Sequence, residues 1–269
     1  MRTLILIFTI AVGLLSLAGC STQKHESTSL IQGRTVADWV GDVEIDPSAK
    51  NPSLEVLVAA GPQAMPDLVR LLLEVEPSNK QAQAVYVMGA IAYRNQDAPL
   101  IQEAVPALTK AAQSGDSQVR MYSVQALGAV GPSASKATPI LLRLTKDENA
   151  SVRMCAVEAL GRIGIAGPEA VQALIAATTD SSGDVQLTAI KALSKIGRPP
   201  TNTVPALIQL AKNESENEGV RCAAVEALGE FVATSPEARD VLNLALSDSS
   251  NFVRSVAKQT LDSLQVEHK

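Results

Sequence analysis

A short stretch, residues 151–164 (SVRMCAVEALGRIG), is copied along most of the chain. Residues 118–131 read QVRMYSVQALGAVG, 184–197 read DVQLTAIKALSKIG, 219–229 read GVRCAAVEALG and 252–261 read FVRSVAKQTL. The anchoring valines Val119, Val152, Val185, Val220 and Val253 are 33, 33, 35 and 33 residues apart. A period of that size excludes most globular topologies and points to stacked supersecondary units, each burying its apolar face against the next. At about 100° per residue, Val152, Ala156, Ala159, Leu160 and Ile163 fall on one helical arc. Ser151 or Asn149 supplies an N-cap, and Gly164 can take the left-handed conformation that ends the helix. A second helix precedes each copy, as in ATPILLRLTKD (137–147) and TVPALIQLAKN (203–213). Pro139 and Pro205 lie in its first turn, where a missing N–H costs little. Aromatic residues make up only 3% of the chain, which suits thin layers of closely packed Ala, Val and Leu.

The unit AxPxLxxLxxD–xxVRxxAVxALGxIG resembles the HEAT repeat, in particular the HEAT-like repeats first described in phycobilin lyases. The resemblance covers about residues 46–265. It implies an all-α, right-handed α-solenoid of about six to seven stacked helical hairpins. It says little about function, because such scaffolds host unrelated tasks. The organisation expected is a leader at 1–19, a flexible tether at 20–32, the solenoid at 33–265 and a frayed end at 266–269.

Arg2 followed by an apolar run to Leu17 has the form of an export leader, too short to span a bilayer comfortably. It closes in Leu17-Ala18-Gly19-Cys20, which resembles the bacterial lipobox. The resemblance implies cleavage before Cys20 and acylation of that residue, hence lipid anchoring at the cell envelope. Ser21 in the next position resembles an outer-membrane address, on its periplasmic side. Residues 21–29 (STQKHESTS) are polar and aperiodic, and His25 among them reads as a solvated tether residue. Thr35 is a fair N-cap with Asp38 three residues on, and Trp39 reads as a large apolar plug sealing the first, atypical repeat. Pro66 to Pro106 is 40 residues whereas Pro106 to Pro139 is 33, so an insert sits at residues 94–100.

No catalytic constellation is expected, and the chain reads as a non-enzyme. The two histidines, His25 and His268, lie at opposite ends, which removes a Ser-His-Asp or Cys-His arrangement. Cys155 and Cys222 sit two repeats apart, too far for a disulfide, and no zinc spacing occurs. The glycine-rich GRIGIAG (161–167) follows a helix and not a strand, so it reads as the repeat's closing turn and not a phosphate cradle. No cofactor, metal or small-molecule substrate is called for. Without the leader, 22 Lys and Arg stand against 28 Asp and Glu, a balance of −6 that disfavours nucleic acid. Arg120, Arg153, Arg221 and Arg254 recur beside the core valine, and a structural ladder to Asp116, Asp147 and Glu148 explains them better than a phosphate track.

The informative surface is the side of each second helix that faces away from its core arc. One register there reads Met121, Met154, Leu187, Cys222, Ser255. The next reads Tyr86, Gln125, Glu158, Lys191, Glu226, Gln259. Tyr86, Met121, Gln125, Met154, Glu158, Leu187 and Lys191 are therefore the candidate binding residues for a protein or peptide partner. The apolar register would anchor it; filling of gaps between adjacent helices is the alternative for Met121, Met154 and Leu187. A further row, Ala129, Arg162, Lys195, Glu230, alternates in sign with its neighbours, as mutually neutralising surface charges do. A lipid-anchored scaffold for a protein or peptide is the expected function. A self-associating envelope protein, or a lyase- or chaperone-like role resembling the phycobilin lyases, are the alternatives.

Overall fold

The computed structural model describes residues 30–45, 51–74, 79–164, 167–196 and 203–266. Cys20, His25 and His268 lie outside them. The described residues form seven helical hairpins in sequence order. The first pairs α1 (Val36–Gly41) with α2 (Pro52–Ala60), and the second pairs α3 (Met65–Glu74) with α4 (Asn79–Arg94). In the third, α5 (Pro99–Glu103) and α6 (Val105–Ala111) together precede α7 (Ser117–Val130). Then come α8 (Thr138–Leu144) with α9 (Ala150–Ile163), and α10 (Pro168–Ala177) with α11 (Gly183–Lys195). The last two are α12 (Thr203–Lys212) with α13 (Glu218–Gly229), and α14 (Pro236–Ala245) with α15 (Asn251–Val266). The protein is an all-α solenoid.

Local chemistry accounts for the boundaries. Asn149 caps α9 by accepting from the N–H groups of Ser151 and Val152, and Gly164 closes it at φ 74°, ψ 30°. Thr35 and Asp38 form a reciprocal capping box at α1. Two departures from the sequence reading occur. Leu30 and Ile31, assigned to the tether, pair antiparallel with Thr35 and Arg34 across a Gln32-Gly33 turn whose φ angles are both positive. Trp39 holds this hairpin by donating Nε1–H to the Ile31 carbonyl at 2.9 Å, while the Arg34 guanidinium lies 4.3 Å from its ring centroid. The insert at 94–100 is also more than a loop. It leads into α5, where Ile101 is fully buried. Residues 52–73 have the length and hydropathy of a membrane span, but Gly61 at φ 65° divides them, and Leu57, Leu68 and Leu72 are buried in the core.

The anchoring valines are all buried, as are Leu127, Leu160, Leu193 and Leu228, eight residues or about two turns further on. Successive second helices meet along a seam of small residues. A Cβ on Gly128 would lie 3.2 Å from Cα and Cβ of Ala159, and one on Gly161 would lie 2.8 Å from Cβ of Ala192. Glycine is required there by close approach of the next helix. Across repeats, three arginines of the ladder bond an aspartate in the next turn, whereas Arg254 of the last hairpin donates only to the Asp248 and Ser249 carbonyls of its own turn. Arg120 reaches Asp147 through two bonds of 2.9 Å, Arg153 reaches Asp180 through two of 2.8 Å, and Arg221 reaches Asp248 at 3.3 and 3.0 Å. The same guanidinium also donates back to its own turn, as Arg153 does to the carbonyls of Asp147 and Glu148. Arg120 pairs with Glu148 too, whereas Asp116 caps α7 by accepting from Gln118 N–H.

Candidate functional site

The outward faces of α4, α7 and α9 enclose a recess of about 210 Å³. Its floor is made of Gly89, Ala90, Gly128, Ala129 and Ala159, residues whose small volume leaves space above the seam. All three tyrosines of the chain line it: Tyr86, Tyr93 and Tyr122. Tyr86 and Tyr122 meet edge to face, with ring centroids 5.4 Å apart at 68°. Tyr93 stands at the mouth, 64% exposed. Gln125, Glu158 and Arg162 form the rim. The Arg162 guanidinium lies 5.3 Å from the Tyr93 ring centroid and 3.5 Å from a Glu158 carboxylate oxygen.

The recess favours burial of apolar groups over proton transfer. Desolvation raises the Tyr122 phenol above its ordinary value, with Tyr86 and Cys155 adding to the effect. Burial pushes the Cys155 thiol up to about 12, and the neighbouring Glu158 charge acts in the same direction. At neutral pH Cys155 is a protonated thiol and no nucleophile. Cys155 and Cys222 are both free. Among the described residues no group of three His, Cys, Asp or Glu side chains could hold a metal ion.

A second, more polar hollow adjoins the first and shares Tyr93, Glu158 and Arg162 with it. It adds Gly161, Thr188, Lys191, Ala192 and Lys195, so it runs from α9 to α11. Lys191 and Lys195 are exposed, and the ion pairs among the described residues leave both ammonium groups unpaired. The alternating charges therefore neutralise one another at Glu158 and Arg162 but not at the lysines. On α13 and at its C-cap the sign reverses, at the exposed Glu226 and Glu230.

Of the residues singled out in the sequence, Tyr86, Gln125, Glu158 and Lys191 lie on these two hollows. Met121, Met154 and Leu187 do not. They are half-buried and packed against the core, because the small-residue seam draws the helices close enough to cover that register. Filling between helices is what these three do in the fold. Tyr93, Tyr122 and Arg162, which the candidate set does not include, line the same recess. Tyr93 follows Tyr86 by seven residues, two helical turns on the same face, so it was legible. Tyr122 needed the approach of α4 and α7 to bring it to Tyr86.

Models of HEAT repeats match residues 105–194 and 171–262. Comparison with curated proteins yields no match. Among solved structures, an archaeal HEAT-like repeats protein from Thermococcus onnurineus NA1 is similar in fold, with TM-score 0.58 at 12% identity over 84% of this chain and 94% of that one. An engineered protein gives TM-score 0.57 at 22% identity over 75% and 96%. A designed armadillo repeat protein, solved in complex with the peptide (KR)4, gives 0.56 at 19% over 74% and 98%. With the repeat models spanning more than half of its length and the seven hairpins stacked as they require, this chain belongs to the HEAT-repeat family.

Proposed function

We propose that this protein is a lipid-anchored scaffold of the bacterial cell envelope, on the periplasmic side of the outer membrane, that holds an extended segment of a protein partner in the groove along α4, α7, α9 and α11. The observation that carries the reading is the tyrosine-lined recess, which crosses three consecutive repeats and opens outward. Aromatic side chains at the centre of a shaped hollow are the residues most enriched among binding hot spots. The solenoid supplies a long, pre-organised surface, and a designed armadillo protein of similar fold is solved with a peptide. The anchor rests on LAGC at residues 17–20.

The test is site-directed photo-cross-linking in intact cells. A benzophenone side chain in place of the exposed Gln125, on the rim, should give a dominant cross-linked product. One in place of the exposed Gln172 on α10, in the other helical layer, should not. Cross-linking from position 172 and not from 125 would overturn the reading. Separately, Cys20→Ala should move the protein from the membrane to the soluble fraction or leave it as precursor; an unmodified mature N-terminus by mass spectrometry would remove the anchor.

A further inference from the structure

We propose that the segment recognised in this groove is an extended peptide carrying a large apolar or aromatic side chain and, three to six residues away, acidic groups. The proposal rests on the groove reading above and names its ligand class.

The groove is zoned along the array. The recess between α4, α7 and α9 is predominantly apolar, and its walls are Tyr86, Tyr93 and Tyr122. It takes one bulky side chain, whose burial there would remove aromatic and aliphatic surface from water on both partners. The adjoining hollow presents Arg162, Lys191 and Lys195 against the single carboxylate Glu158. This is a local excess of positive charge in a chain whose net charge is −5. Among the described residues Lys191 and Lys195 have no carboxylate partner, so a ligand carboxylate need not displace one.

The opposite ligand, a cationic side chain in an aromatic cage, is disfavoured by the same groups. The one carboxylate at the recess, Glu158, already faces Arg162, and the Arg162 guanidinium already lies over the Tyr93 ring. A ligand cation would have to displace that arginine and would then face three positive charges. An acidic group instead draws Arg162 away from a weak, half-exposed pair.

Spacing follows from geometry. Packed helices are roughly 8–10 Å apart, and an extended chain advances about 3.3 Å per residue, so each repeat is matched by about three ligand residues. The recess is centred near α7 and the lysines lie on α11, two helix spacings from that centre and one beyond the rim at α9. Glu226 on α13 and Glu230 at its C-cap would repel a continuing acidic run, which gives the bound segment a direction. Exposed charges of this kind act through a Debye length of about 8–10 Å, so affinity should fall as salt rises.

The experiment uses the folded chain and synthetic Gly/Ser-spaced peptides, with binding read by fluorescence polarisation at low and high salt. One peptide carries Trp followed four residues on by two Asp, one carries Trp and two Lys, and one carries Ala and two Asp. The Trp–Asp peptide should bind at least ~10-fold tighter than either of the others, a difference of about 1.4 kcal/mol, and lose that advantage at high salt. Lys191→Glu with Lys195→Glu should reverse the charge preference. Lys191→Gln with Lys195→Gln should abolish it, and both lysines are exposed, so the helical circular-dichroism signal should not change. Equal or tighter binding of the Trp–Lys peptide, a preference that survives both lysine variants, or no binding of the Trp–Asp peptide would each overturn the proposal. Cross-linking from position 125 does not depend on ligand charge. A cross-link there without the charge preference removes this ligand class and leaves the groove, whereas loss of both removes both.

Discussion

Arg120, Arg153 and Arg221 each join two repeats through one guanidinium, and the aspartate they meet does a second task. Asp180 Oδ1 accepts from Ser182 N–H at 2.8 Å as well as from Arg153. The Arg153 hydrogen bonds hold the Asp180 carboxyl below its usual value against the opposing effect of burial. At Asp147 and Asp248 burial pushes upward most strongly, and the arginine together with the N–H of Asn149 or Ser250 outweighs it. A carboxyl whose folded value is depressed stabilises the fold above its unfolded value, near 3.9, and that stabilisation is lost as pH falls through the lower folded values. Both side chains of the Arg153–Asp180 pair are only 13% exposed. Arg153→Ala strands Asp180 and should cost about 3 kcal/mol at neutral pH. Urea titrations should show the deficit shrinking below about pH 4, where the wild type also loses the pair. A deficit unchanged by acid would assign the effect to lost packing of the arginine stem.

At the scale of the element, glycines at equivalent positions of successive helices differ in what they permit. On α9, a methyl group at Gly161 would sit 2.8 Å from Ala192 Cβ and 3.1 Å from its Cα, with no flexible side chain to give way. Gly161→Ala gains about 1 kcal/mol of helix propensity but must push α11 aside, for a net loss of about 1–2 kcal/mol. On α4, the methyl group at Gly89 would lie 3.5 Å from Ala126, an ordinary contact. Gly89→Ala should therefore be neutral or stabilise by up to about 1 kcal/mol. Opposite signs of the shift in melting temperature are the expected result. The same sign at both would mean that the seam relaxes evenly and that close approach does not set the requirement.

At the scale of the molecule, the joint after α11 departs from the ladder. Val185 is followed by Gln186 where the copies at Val119, Val152, Val220 and Val253 have arginine, and the aspartate position of the next turn is Asn213. Both halves of the pair are neutral together, as expected of a structural ladder and not of a phosphate track. The same place divides the core: α11 gives Val185, Ala189 and Leu193 to the cluster that runs from Val36, and Ile190 to the cluster that runs on to Ala257. In a solenoid the interfaces between neighbours carry the cooperativity, so this joint should let the last two hairpins open before the rest. Gln186→Arg with Asn213→Asp should restore the bridge. The double variant should be more stable than the sum of its single changes by about 1–2 kcal/mol, with slower amide exchange in α13 and α15. Additive single changes would show that the longer turn at residues 213–217 keeps the two groups apart.

The period, the caps and the buried arc could be read from one copy of the repeat, because each follows from angles and bonds within a helix or turn. Val152, Leu160, Asn149 and Gly164 needed no knowledge of the next repeat. That Tyr86, Gln125, Glu158 and Lys191 lie on the outward side of their helices follows for the same reason. The tertiary structure decided what that side does. Whether Met154 meets water or a neighbour depends on how closely α9 and α11 approach, which the contact of Gly161 with Ala192 sets across a gap of 31 residues. Arg153 and Asp180 become partners only when two turns stack. The recess exists because Tyr122 of α7 is carried to Tyr86 of α4 above a floor of glycine and alanine. Helical periodicity encodes direction about one axis, whereas a binding surface is made of distances between axes.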